Sequence, residues 1–213
     1  MDDRDLRALE RRTFRKATDD GLWDILLASV VALFAIAPLL SESLGDVWSS
    51  AIFLPVWLGL YLAVRVVRSQ ILAPRAGTVR MGPDRRRRMR RLRVALLFVN
   101  IVAFGIGVGV AIGAQQGRID LGGLGFPLMF SLCSLAGLSI VAFAVGIPRF
   151  ALYGLMLAIA PLFGEWLWRN DLASHHGYPI VFGASAAVIF TVGVARLAVL
   201  IKRRPLPPHS AAV

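Results

Sequence analysis

Asp24, Arg65, Glu165 and Arg196 are ionisable residues inside or at the edge of long apolar stretches. A charge below the membrane interface is penalised by about 2.5–3.5 kcal/mol at the bilayer centre on insertion scales, so such groups are partnered or functional. Asp24 lies in the first turn of the first stretch, and Arg65 and Arg68 in the last turns of the second. A helical hairpin brings those ends to similar depth. The expectation is a structural ion pair, Asp24 with Arg65, the arginine reaching toward the interface along its apolar stem. The same acid could instead serve as a proton or ion site.

Glu165 near the end of the fifth stretch is followed by Asp171, His175 and His176. A metal site needs three or four converging ligands, and histidine zinc sites show clear spacing. A His-His pair with scattered acids lacks it, so the expected role is an interfacial polar cap, with no metal. Catalytic patterns are missing as well: there is no G-x-S-x-G elbow, no H-E-x-x-H and no P-loop. No enzyme activity and no cofactor is expected. Gly105, Gly107 and Gly109 follow no strand and so do not form a dinucleotide loop. Gly105, Gly109 and Gly113 instead repeat every fourth residue, as do Gly183, Ala187, Thr191 and Ala195. Such stripes of small residues let helices approach closely in a membrane. Asn100 is a mid-membrane amide able to bond across helices. Cys133, the single cysteine, lies in an apolar run and is assigned to packing.

The elements that must position these groups follow from composition. Of 213 residues, 57% are hydrophobic, and mean hydropathy is +0.67. Six apolar runs stand out: Leu22–Leu40, Val47–Val67, Val94–Ala114, Leu124–Ile147, Ala151–Trp168 and Pro179–Ile201. Each can cross about 30 Å of hydrocarbon as a helix. Barrel strands would alternate in character over about ten residues, and these runs do not. The fold class is therefore all-α, a polytopic transmembrane bundle of six spans. No cleavable leader is expected, because the first run is long and follows a charged stretch.

Charge sets the orientation. Arg4, Arg7, Arg11, Arg12, Arg15 and Lys16 precede the first run, nine arginines lie in 69–93, Arg149 sits between the fourth and fifth runs, and Lys202, Arg203 and Arg204 follow the sixth. The opposite side carries only Arg118 and Arg169. By the positive-inside rule both ends are expected to be cytoplasmic, and the richness in Arg, Ala and Gly hints at a bacterial source and so a prokaryotic plasma membrane. Leu6, Leu9, Thr13, Phe14 and Ala17 share one helical face, so residues 1–20 are expected to form an amphipathic helix on the membrane surface. Residues 21–68 then form the first hairpin, 69–93 a basic cytoplasmic loop, 94–201 spans three to six, and 202–213 a tail.

Within the loop, Arg85, Arg86, Arg87, Arg88, Arg90, Arg91 and Arg93 run straight into the third span. They form an anchor and a surface for anionic headgroups or an acidic partner. Nucleic acid is not expected, because no stacking aromatics are interleaved. Ala35-Ile36-Ala37-Pro38-Leu39 recurs as Ala158-Ile159-Ala160-Pro161-Leu162, each with an acid at the same offset, Glu42 and Glu165. The echo is short and built from common residues, which favours coincidence over duplication.

Three segments carry a resemblance. The opening R-x-T-F-R-x-x-x-x-D-G-L-W-D-I, Arg11 to Ile25, is similar to that of a family of small uncharacterised prokaryotic integral membrane proteins. Pro74-Arg75-x-Gly77-x-Val79 resembles that family's P-R-x-G-Y-V segment, with Thr78 in place of the aromatic and Ala76 in place of a larger apolar residue. Thr191-x-Gly193-x-x-x-Leu197 before the basic tail resembles its ending. The resemblance implies a small multi-pass architecture and no particular activity. The leading functional expectation is a non-enzymatic scaffold or accessory subunit with a basic cytoplasmic face for anionic lipid, another membrane protein or a second copy. The alternative is a small transporter or channel subunit using Asp24 or Glu165.

Overall fold

In the computed structural model, residues 20–72 and 123–203 are described, with isolated positions between 90 and 116. Among these residues there are five α-helices: α1 (Leu22–Ala51), α2 (Phe53–Val67), α3 (Gly125–Val145), α4 (Arg149–Arg169) and α5 (Tyr178–Arg203). A π-helical turn, Arg68–Leu72, continues α2, and a 3-10 turn, His175–Gly177, precedes α5. Four segments are long and apolar enough to cross a membrane: Leu22–Gly45, Gly125–Val145, Arg149–Arg169 and His175–Arg203. They match the first, fourth, fifth and sixth expected runs. The second run takes in the part of α1 beyond Gly45 and the 15-residue α2. The third lies largely outside the described residues, although its described positions from 101 to 113 are helical. The amphipathic segment 4–17 and Arg85–Arg88, Arg91 and Arg93 also lie outside them; Arg90 is helical and exposed.

One expected boundary is corrected. Residues 41–46 were expected to form a loop, yet the helix continues through Ser41, Glu42, Ser43 and Leu44. The Ser41 and Ser43 hydroxyls donate back to the Pro38 and Leu40 carbonyls, so both serines are accommodated within the helix. The break falls at Gly45, at φ 76° and ψ 163°, a conformation open almost only to glycine.

The chain forms two units, each with its own contacts: Met1–Arg80 with Ala186–Val213, and Met81–Ser185. In the first, α1 buries Asp24, Ala28, Val31 and Ala35, spaced four, three and four apart, which is one face of a helix. On α5 the buried residues Ala186, Ile189 and Gly193 have the same rhythm. The two helices touch where Gly21 meets Gly193. A β-carbon on Gly21 would lie 2.3 Å from the Gly193 carbonyl oxygen, and one on Gly193 would lie 3.0 Å from the Asp24 Cβ. Glycine at both positions is what lets the backbones approach this closely.

In the second unit α4 is the central helix, burying Phe150, Tyr153, Gly154, Leu157, Ala158, Ala160, Pro161, Gly164 and Glu165. A three-residue turn joins α3 to it. Gly146 ends α3 in the left-handed conformation, with its own amide and that of Ile147 both donating to the Ala142 carbonyl. Pro148 then starts α4, where its missing N–H costs nothing. A β-carbon at Gly154 would lie 3.1 Å from Leu138 Cβ, so α3 and α4 are in close contact there. Pro161 removes one backbone donor from the middle of α4, and near that gap Ser131 of α3 donates its hydroxyl to the Ala158 carbonyl. Hydroxyls from neighbouring helices commonly make up for proline in membranes.

Candidate functional site

Two groups of buried polar residues result, one in each unit. In the first, Asp20 precedes α1 and its carboxylate accepts the Leu22 N–H at 3.0 Å, capping the helix. Asp20 is buried. Burial pushes its carboxyl above the ordinary 3.8, more than the Leu22 bond and the nearby Arg68 guanidinium pull it down. A folded state that holds the proton more tightly than the unfolded one loses stability as pH rises from the ordinary value to the raised one. Asn caps equally well and carries no charge. Asp20→Asn should therefore be at least as stable as the parent in detergent at pH 7. Its advantage should shrink as pH falls from the raised value to 3.8, and an advantage that grew over that range would contradict this.

Asp24, one turn further, is completely buried. Arg65, its expected partner, is exposed on α2. The Gly193 turn of α5 also lies against Asp24, and the Arg196 Cβ stands 3.1 Å from where a Gly21 β-carbon would be. Asp24 and Arg196 thus flank the same helix crossing. Two double-mutant cycles separate the possibilities. Asp24→Ala with Arg196→Ala should be non-additive in thermal stability by about 0.5–3 kcal/mol, and the cycle with Arg65→Ala close to additive. The reverse order would identify Arg65 as the partner.

In the second unit Glu165 is buried, with 2% of its side chain exposed, and both of its oxygens are engaged. Arg169, one turn on, donates Nε–H to Oε1 at 3.0 Å. His176 Nδ1 lies 2.9 Å from Oε2. An ionised carboxylate can only accept, so Nδ1 carries the proton. Four residues is the helical spacing at which an acid meets a following base, so the arginine contact is local. The histidine contact is not, and depends on the turn after α4. There Asn170 caps the Trp166 carbonyl through its side chain, and Asp171, His175 and His176 all adopt positive φ. Asp171 and His175 therefore do not share a helical face, because α4 has already ended at Arg169. Gly177, at φ 64°, presses on Gly164: a β-carbon there would sit 2.6 Å from the Gly164 carbonyl oxygen. Gly123 approaches from the segment before α3, its β-position 3.5 Å from Glu165 Oε1.

Aromatic rings flank the histidine. The Trp168 ring centre is 4.1 Å from that of His176, and the Tyr178 ring lies 5.6 Å from it at 24°. Tyr178 in turn meets Phe126 and Phe182. Chemically this is a buried anion held by two half-exposed bases and walled by indole and phenol rings. Among the described residues no three His, Cys, Asp or Glu side chains gather closely enough to hold a metal ion.

The small-residue positions are distributed unevenly. Gly105 and Gly109 face open space within the chain, while Gly113 is buried. Gly183 is half-buried, and Ala187, Thr191 and Ala195 are exposed. The close glycine contacts occur at Gly21, Gly154, Gly164, Gly177 and Gly193, which spacing did not single out. Of these only Gly21 and Gly193 lie within segments that carry the family resemblance.

Among the described residues, five α-helices with four apolar segments of spanning length indicate an all-helical multi-pass membrane protein. No protein-family model, curated protein or solved structure matches the chain.

Proposed function

We propose that this protein is a six-span, non-enzymatic membrane component, a scaffold or accessory subunit with both ends cytoplasmic, of the small prokaryotic family its opening and closing segments resemble. Its basic cytoplasmic face meets anionic lipid or an acidic partner. The observation that carries this is charge asymmetry: nine arginines lie within residues 69–93, seven of them in the run Arg85–Arg93, against two bases on the other side. Each basic residue near an anionic surface contributes about 1 kcal/mol.

The test replaces Arg85, Arg86, Arg87 and Arg88 with Gln. Retention of phosphatidylglycerol or cardiolipin during purification should fall, or spans two and three should misorient. Orientation is read in a Cys133→Ser background with single cysteines at 44, 82 and 173. Positions 44 and 173 should label from outside and 82 should be protected. If lipid retention and labelling both survive the four replacements, the run has another purpose.

A second reading, a small transporter or channel subunit, is favoured by the complete burial of Asp24 and Glu165. Proton or cation flux in liposomes, abolished by Asp24→Asn or Glu165→Gln, would displace the scaffold.

A further inference from the structure

The end of α4 holds His176 much as a protein holds a ligand. The imidazole comes from a short turn after the helix and lies against the Trp168 ring, with Tyr178 nearly parallel to it. Its Nδ1–H points at Glu165 Oε2, the carboxylate oxygen that Arg169 leaves to it. The receiving groups are carried by helices: Glu165 and Trp168 stand on α4, Tyr178 opens α5, and Arg169 bonds the carboxylate from one turn away.

The occupant is held less firmly than its site. Forty-five per cent of the His176 side chain is exposed. His175 and His176 both sit at φ 53°, a left-handed conformation that residues with a β-carbon rarely adopt. Releasing the histidine would relieve that backbone conformation. A free molecule offering the same flat ring and N–H would restore the bond to Glu165 and the ring contacts, so the exchange conserves the interactions made.

We infer that Glu165, Trp168 and Tyr178 form a binding site for a small flat nitrogen heterocycle or cation bearing an N–H donor, of the imidazole or imidazolium class, which His176 fills from within the chain. The carboxylate accepts the N–H, and the ring faces of Trp168 and Tyr178 favour a flat and positively charged group. The tethered histidine competes at high effective concentration, so the intact chain binds such molecules weakly and the site is self-closed. This does not depend on the role assigned to the arginine run.

Imidazole is the probe. The full-length protein in detergent is titrated with it by calorimetry and by Trp emission, with Trp168→Phe subtracted. His176→Gly removes the occupant and should bind imidazole about tenfold or more tightly than the intact protein. Adding Glu165→Gln should remove that gain. In the intact protein, deuterium uptake across residues 170–177 should rise at saturating imidazole and not with sodium chloride of equal ionic strength. The inference fails if His176→Gly shows no saturable binding, or if Glu165→Gln leaves its affinity unchanged. Should that variant not stay dispersed, unchanged deuterium uptake in the intact protein is itself the overturning result.

Discussion

Gly21→Ala is expected to lower stability by about 2–5 kcal/mol, the largest effect of any single methyl group added to the described residues. Two costs add. Gly21 sits at φ 81°, where an L side chain pays roughly 1–2 kcal/mol. Its β-carbon would also lie 2.3 Å from the Gly193 carbonyl oxygen and 3.1 Å from the Leu197 amide nitrogen, both backbone atoms that cannot swing aside. Overpacking of that kind adds about 1–3 kcal/mol. Gly193→Ala should follow, at lower cost, because its neighbours include the movable Ile25 Cγ1 at 2.9 Å and because its φ is helical. Two other glycines calibrate the claim. Gly45 has the unusual backbone without neighbours, so Gly45→Ala should show only the conformational part. Gly59 has no neighbour within 4 Å in the interior of α2, so Gly59→Ala should be neutral or stabilising by about 0.5–1 kcal/mol. Thermal unfolding of the four variants in one detergent gives the ranking, and equal losses at Gly21 and Gly45 would mean the helix crossing is looser than described.

Glu165→Ala comes next, with an expected loss of about 2–3 kcal/mol. Hydrogen bonds to a charged group are worth about 1.5–3 kcal/mol each, but Arg169 and His176 are each 45% exposed and recover part of theirs from water. Glu165→Gln should cost less, since the amide oxygen still accepts one of the two donors. The informative comparison is Arg169→Ala. In the parent it leaves a buried carboxylate with one partner fewer, a situation that is strongly destabilising. In the Glu165→Gln background no charge is left behind. Arg169→Ala should accordingly cost more in the parent than in that background. Equal costs would show that Arg169 does not neutralise Glu165.

What sequence made legible was whatever depends on local periodicity. Four apolar runs correspond to helices of spanning length because a backbone in hydrocarbon has to bond within itself, and uninterrupted apolar residues announce that condition. Buried acids were legible for the same reason: Asp24 and Glu165 stood out against their surroundings. Their partners were harder to read. The Arg169 contact follows from the four-residue helical spacing, but Arg169 was counted with the loop because the end of α4 was placed at Trp168. Which of His175 and His176 turns inward depends on left-handed backbone at Asp171, His175 and His176 as well as at Gly177, and only the last is a glycine that could have signalled it. The Gly21–Gly193 contact joins positions 172 residues apart, so no spacing within one helix could reveal it. The two segments that meet there, Asp20–Asp24 and Thr191–Leu197, had each been noticed separately.

The three-residue turn of Gly146, Ile147 and Pro148 bears on how the protein enters the bilayer during synthesis. It ties α3, strongly apolar and with few buried residues, to α4, which has the lowest hydropathy of the four spanning segments and carries Glu165. A connection that short gives the two helices no freedom to partition one at a time to different depths. As α4 leaves the ribosome, α3 is already beside it, offering the Ser131 hydroxyl near the Pro161 gap and a surface for Gly154. The pair therefore suits entry as a helical hairpin, in which the greasier member carries the polar one across.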